Sequence, residues 1–139
     1  MSPIPASQLA SKPHVEVAAA IIFHEGQILI SQRDERSHLS GYWEFPGGKT
    51  EPGETHEACL RRELREELGV DSEVGEEIVT TEHAYPDRTI RLHFRRTRIT
   101  GTPQPLIGQQ LRWVTREELG SLELPPADRE LIEILMGRS

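Results

Sequence analysis

A chain of 139 residues is the size of one domain and too short for two. Its net charge of -7, from 16 Lys+Arg against 23 Asp+Glu, argues against a nucleic-acid polymer as partner, and no apolar run is long enough to span a bilayer. A lone cysteine, Cys59, excludes an internal disulfide, and the six histidines show no zinc-ligand spacing.

Residues 1–13, with Pro3, Pro5 and Pro13, read as a loose tail without the basic start and apolar core of a signal peptide. Residues 14–139 read as one domain, with cytoplasmic residence the expectation. Val15 to Phe23 is almost continuously apolar, as in a strand buried on both faces. A tight turn at His24-Glu25-Gly26-Gln27 leads to a second strand, Ile28-Leu29-Ile30. A polar loop from Asp34 to Ser40 follows, then a short strand, Tyr42 to Phe45, which Pro46-Gly47-Gly48 is expected to break.

Thr55 to Leu68 holds neither Gly nor Pro and is rich in Glu, Leu, Arg and Ala, so it is the strongest helix of the chain, stopped by Gly69. Strands are expected over Glu77 to Tyr85 and Thr89 to Thr97, turning at Pro86-Asp87-Arg88. A last strand surrounds Leu111 to Val114; Thr115 and Glu118 form a capping box for a short helix, and a final helix runs from Asp128 to about Met136. The order predicts an α/β fold, a mixed sheet flanked by helices.

At about 100° per residue, Leu60, Leu64 and Leu68 form one stripe of the long helix and Glu63, Glu66 and Glu67 a neighbouring one. Like charges at i+3 and i+4 destabilise a bare helix by a few tenths of a kcal/mol per pair, on the order of 0.2–0.5, and a divalent cation relieves this. Magnesium takes hard oxygen ligands and commonly bridges carboxylates to substrate phosphates. Just before the helix, Gly47-Gly48 and Glu51-Pro52-Gly53 let the backbone turn and a carbonyl approach such an ion. A solvated Glu-rich face is the plain alternative for the helix taken by itself.

Taken together, Gly48, Glu54, Arg62-Glu63-Leu64, Glu66-Glu67, Gly69 and Val70 resemble the Nudix box, G-x5-E-x7-R-E-U-x-E-E-x-G-U with U aliphatic, every specified position being filled. The apolar strand from Val15, Trp43 to Lys49, Tyr85 to Arg88 and Pro125-Pro126-Ala127 are similar to the MutT-like members. The resemblance implies the Nudix fold, a mixed β-sheet sandwiched between α-helices. It implies Mg2+, with Mn2+ as the substitute, held by Glu63, Glu66 and Glu67 and a carbonyl of Gly47 or Gly48, neutralising phosphate oxygens and activating water. Glu63 is the first choice for the general base and Glu54 the second. Arg62 orients the carboxylates or simply pairs with Glu66 at i+4. Arg33 contacts phosphate or is an exposed strand-end charge.

The reaction implied is hydrolysis of a nucleoside triphosphate to the monophosphate and pyrophosphate. The substrate order expected is 8-oxo-dGTP, in nucleotide-pool sanitation and so DNA repair, then CTP, dCTP or a modified cytidine triphosphate. Another nucleoside diphosphate derivative, or a non-catalytic sensor, ranks lower. Two positions depart from the MutT-like pattern. Where a further glutamate is common, counting back from Trp113 gives Ile107, leaving Gln109 or Gln110 as weak neutral stand-ins. Where MutT has a base-binding asparagine stands Asp128, read either as a helix N-cap or as a base contact that, when ionised, suits an amino group. Oligomeric state is not legible in the sequence.

Overall fold

The computed structural model describes residues 13–32 and 42–137. The residues outside these bounds include Arg33 and the expected loop from Asp34 to Ser40 and, but for Pro13, the expected tail. Seven strands form one mixed sheet: β1 (His14–His24), β2 (Gln27–Gln32), β3 (Trp43–Glu44), β4 (Gly47–Lys49), β5 (Asp71–Ala84), β6 (Thr89–Thr100) and β7 (Gln110–Val114). The helices are α1 (His56–Leu68), α2 (Arg116–Ser121) and α3 (Arg129–Leu135), with a single 3-10 turn, Pro126–Asp128, leading into α3.

β1 is the axis. It runs parallel to β6 from His14↔Thr89 to Ile22↔Thr97, and pairs antiparallel with β4 and, at its end, with β2. Successive side chains of a strand point to opposite faces. Ala18, Ala20 and Ile22 accordingly enter a core with Cys59, Leu60, Leu64 and Leu68 of α1, while Ala19 and Ile21 enter a second core with Phe45, Phe94, Leu119 of α2 and Leu131 of α3. The continuous apolar run of β1 is thus explained by helices on both faces, the α/β sandwich expected from the element order.

Local signals set the helix ends. The Thr55 side chain accepts from Ala58 N (3.1 Å), and Gly69 takes the left-handed conformation at φ 68° while its N–H donates to Arg65 O. The capping box of α2 is present in both directions: Thr115 N donates to Glu118 Oε1 (3.0 Å) and Glu118 N to Thr115 Oγ1 (3.2 Å).

Three expectations need correction. Gly47 and Gly48 do not break the chain but form β4, opposite Ala19 and Ala18. A Cβ on Gly47 (φ 153°) would stand 2.0 Å from Ala18 O, so the missing side chain permits the pairing. β5 starts at Asp71, not Glu77; its charged first half is hard to read because it continues past register irregularities on either side of Glu77. The helix expected from Asp128 is a 3-10 turn up to that residue and α-helix only from Arg129, and the Asp128 side chain makes no capping hydrogen bond. The N-cap reading of Asp128 is therefore withdrawn.

Candidate functional site

β4 and α1 build the site: β4 pairs with β1 in the sheet, and α1 packs over that sheet face, leaving almost no space between helix and glycine strand. Leu60, Leu64 and Leu68 are fully buried and fix the rotation of α1, which turns Glu63 and Glu67 toward the glycine strand. An ideal Cβ on Gly48 would lie 2.5 Å from Glu63 Cδ, so the carboxylate occupies the space a side chain would need. Cys59 fills the floor with its Sγ 3.5 Å from the carbonyls of Gly48 and Lys49; burial pushes its thiol up to about 11. It is a packing residue and no nucleophile at neutral pH.

On one side of Glu63 the charges are settled by Arg62. Its Nε and Nη2 donate to Glu54 Oε2 (2.8 Å) and Oε1 (2.9 Å), its Nη1 to Glu63 Oε1 (2.8 Å) and its Nη2 to Lys49 O (3.2 Å). This bidentate pairing, with the Glu51 amide, holds Glu54 down at about 2. The i+4 partner named by helical spacing, Glu66, is the looser contact at 3.5 Å, and its side chain is 59% exposed. The orienting reading of Arg62 thus has geometric support, with Glu54 and Glu63 as the partners.

On the other side lies Glu67. Burial, first, and the neighbouring Glu63 and Glu44 push its carboxyl well above the ordinary range, opposed by a hydrogen bond from the Gly47 backbone. Crowded, half-buried carboxylates beside a glycine carbonyl form an oxygen-rich, negatively charged donor set of the kind that hard divalent cations take. Glu63, Glu67 and the Gly47–Gly48 strand come together; Glu66 stands at the solvent edge.

Gln109 is no substitute ligand. It is buried and donates from Nε2 to the backbone oxygen of Glu67 (3.0 Å), while its Oε1 accepts from Ile107 N (3.1 Å). It fastens the end of α1 to the loop before β7. Gln110 and Ile107 are exposed.

Glu44 is a site residue that spacing and periodicity do not single out. On β3 it acts electrostatically on both Glu67 and Asp128. Asp128 is 4% exposed, and burial, then Glu44, push its carboxyl up to about 7. It is thus a mixture of neutral acid and carboxylate near neutral pH, not the fixed anion expected. The run Trp43-Glu44-Phe45-Pro46 sets this acid three residues before the glycine pair.

The NUDIX domain family profile matches residues 17–134. The chain is 43% identical over 123 residues to the CTP pyrophosphohydrolase of Escherichia coli K12, covering 88% of this chain and 91% of that one. It is 37% identical over 130 residues to the 8-oxo-dGTP diphosphatase of Haemophilus influenzae, covering 92% and 96%. The solution structure of the E. coli ORF135 protein superposes with a TM-score of 0.82 at 40% identity, covering 98% and 94%. With its box complete on the β4–α1 hairpin and these relatives matched along nearly their whole lengths, the chain belongs to the Nudix hydrolases, among the MutT-like enzymes.

Proposed function

We propose that this hydrolase cleaves a nucleoside triphosphate to the monophosphate and pyrophosphate, and that Glu63, Glu67 and a Gly47–Gly48 carbonyl, with Glu66 at the rim, hold the Mg2+ it uses. Nudix hydrolases use divalent metals, and Mg2+ or Mn2+ here would neutralise phosphate oxygens and make water a better nucleophile. Glu63 accepts the proton. Glu54, the second choice, has both oxygens engaged by Arg62 and one also by the Glu51 amide, so it serves better to fix Arg62 than to take a proton. The observation that supports this reading is the packing of the Glu63 carboxylate against Gly48 beside Glu67, with Glu44 acting electrostatically on both Glu67 and Asp128.

The substrate follows from Asp128. As a carboxylate it accepts from the N1 and N2 hydrogens of a guanine; as a neutral acid it both donates and accepts, which matches the N3 and N4 edge of cytosine. Two readings are therefore carried. 8-oxo-dGTP comes first, as in the relative from H. influenzae, with sanitation of the nucleotide pool as its role; CTP or dCTP, modified forms included, comes second, as in the relative from E. coli. The test is a panel of these triphosphates with product identification. Monophosphate plus pyrophosphate, abolished by chelator and restored by Mg2+, is expected. Full turnover in excess chelator, or release of orthophosphate alone, sinks the proposal.

A further inference from the structure

A second polar cluster lies on the sheet at the start of α1, outside the Glu63–Glu67 site. His93 of β6 is 9% exposed, with Nε2 2.8 Å from Glu16 Oε2 of β1 and Nδ1 3.1 Å from Glu77 Oε1 of β5. Thr80 Oγ1 also lies 3.1 Å from Nδ1. His56, the first residue of α1, stacks on His93 with ring centroids 3.9 Å apart and a tilt of 31°. One donor atom each from His56, Glu77 and His93 lie within 4.8 Å of one another.

A neutral imidazole has one N–H. If His93 donates from Nε2 to Glu16, its Nδ1 lone pair faces a carboxylate oxygen of Glu77, and the one hydroxyl hydrogen of Thr80 can satisfy only one of the two. A cation bridging them relieves the contact. A proton is one such cation; a metal ion is the other, and the His56 ring beside His93 offers it a further nitrogen donor. Donors about 2.0–2.1 Å from a tetrahedral ion stand roughly 3.4 Å apart, close to the Nδ1–Oε1 spacing.

We propose that His56, His93 through Nδ1, and Glu77 bind a d-block dication of the zinc type, with Glu16 as the carboxylate that orients His93. Two imidazoles and one carboxylate suit zinc, whereas the oxygen-only Glu63–Glu67 set suits magnesium. The carboxylate–histidine–metal relay through Glu16 is the usual way a histidine ligand is held, and Arg91 steadies Glu16 from its other oxygen (3.3 Å). The nearest competing cation, Arg95, is bound to Glu57 at 2.8 Å. The register irregularities flanking Glu77 fall where β5 must turn this side chain toward His93, and its 43% exposure leaves an entry for the ion. Bound there, the ion fastens the first residue of α1 to β1, β5 and β6.

The test is calorimetric titration of the full chain with ZnCl2 in saturating Mg2+, paired with NMR of the histidine rings. Near one zinc per chain is expected, with His56 and His93 signals perturbed and the melting temperature raised. His56→Gln and Glu77→Gln should each weaken this step by about tenfold or more, and Glu16→Gln by about 10–100-fold. Glu63→Gln should leave it in place, and unchanged Mg2+-dependent turnover in His56→Gln shows that variant to be folded. The proposal is overturned if no zinc step appears, if it survives in both His56→Gln and Glu77→Gln, if it disappears in Glu63→Gln, or if His93 keeps protons on both ring nitrogens in the presence of zinc.

Discussion

Glu63 divides two acidic neighbourhoods that differ in what balances them. Toward Arg62, the carboxylates of Glu54 and Glu63 close on a permanent cation at 2.8 Å, and the charge is settled by the protein itself. Toward Glu67, Glu44 and Asp128, acid faces acid, and the proton affinities of Glu67 and Asp128 rise instead. The first arrangement is complete without a ligand. The second gathers like charge, which protons relieve and which the proposed metal and nucleotide would relieve as well.

The largest break in this contrast comes from removing charge on the unbalanced side. Glu63→Gln and Glu67→Gln are expected to lower kcat by about 10²-fold or more with the fold intact. Glu67→Gln should also melt higher than wild type in chelator, since it removes a buried, repelled carboxylate. A Glu67→Gln enzyme with full activity, or one that unfolds, would overturn the assignment.

Gly48→Ala should come next, because the added methyl falls on the Glu63 carboxylate. A loss of kcat of about tenfold or more is expected, with a melting temperature that falls less than for Gly47→Ala, whose methyl meets backbone. Equal losses of activity and stability in the two variants would count against a specific Gly48–Glu63 fit.

Asp128→Ala should change the ratio of kcat/KM between 8-oxo-dGTP and CTP by about tenfold, or about 1.4 kcal/mol. An unchanged ratio would move base selection elsewhere. In wild type the same ratio should depend on pH. Neutral Asp128 suits cytosine and ionised Asp128 suits guanine, so preference should move toward 8-oxo-dGTP as pH rises through about 7.

The smallest effect concerns stability. The folded-state value of Asp128 is raised from 3.8, so between 3.8 and about 7 the folded chain keeps a proton that the unfolded chain has lost. Stability from this group therefore declines as pH rises across that window. Asp128→Asn should flatten the decline and show its relative gain near pH 8, measured by denaturant titration at several pH values.

Local patterns made much of this legible. The cap at Thr115, the stop at Gly69 and the leucine stripe of α1 depend on neighbours within a turn or two, and the structure places them where the sequence does; Thr55, read as the first helical residue, is the cap before it. Contacts between remote segments were not legible. Helical spacing offered Glu66 to Arg62, but the loop from β4 carries Glu54 back over the first turn of α1 and wins the bidentate contact. Glu44 and Asp128 are brought near one another by a sheet-edge hydrogen bond from Trp43 N to Glu123 O (2.9 Å), which no periodicity announces. Asp128 was read as an anion or a cap because its burial could not be seen from its neighbours in sequence.

The two faces of β1 have a further consequence, for how such an enzyme can diversify. The carboxylates proposed for hydrolysis belong to the layer under α1, where Ala18, Gly47 and Gly48 leave no room for larger side chains. Glu44 and Asp128 instead hang from β3 and from the turn before α3, segments that pack with the opposite layer. A mutational library spread over residues 42–44 and 124–128 is therefore expected to yield active enzymes with altered base preference, whereas one spread over Ala18, Gly47 and Gly48 is expected to yield almost none. On this proposal the chemistry is held where change is tolerated least, and nucleotide choice where substitution alters preference before it abolishes turnover.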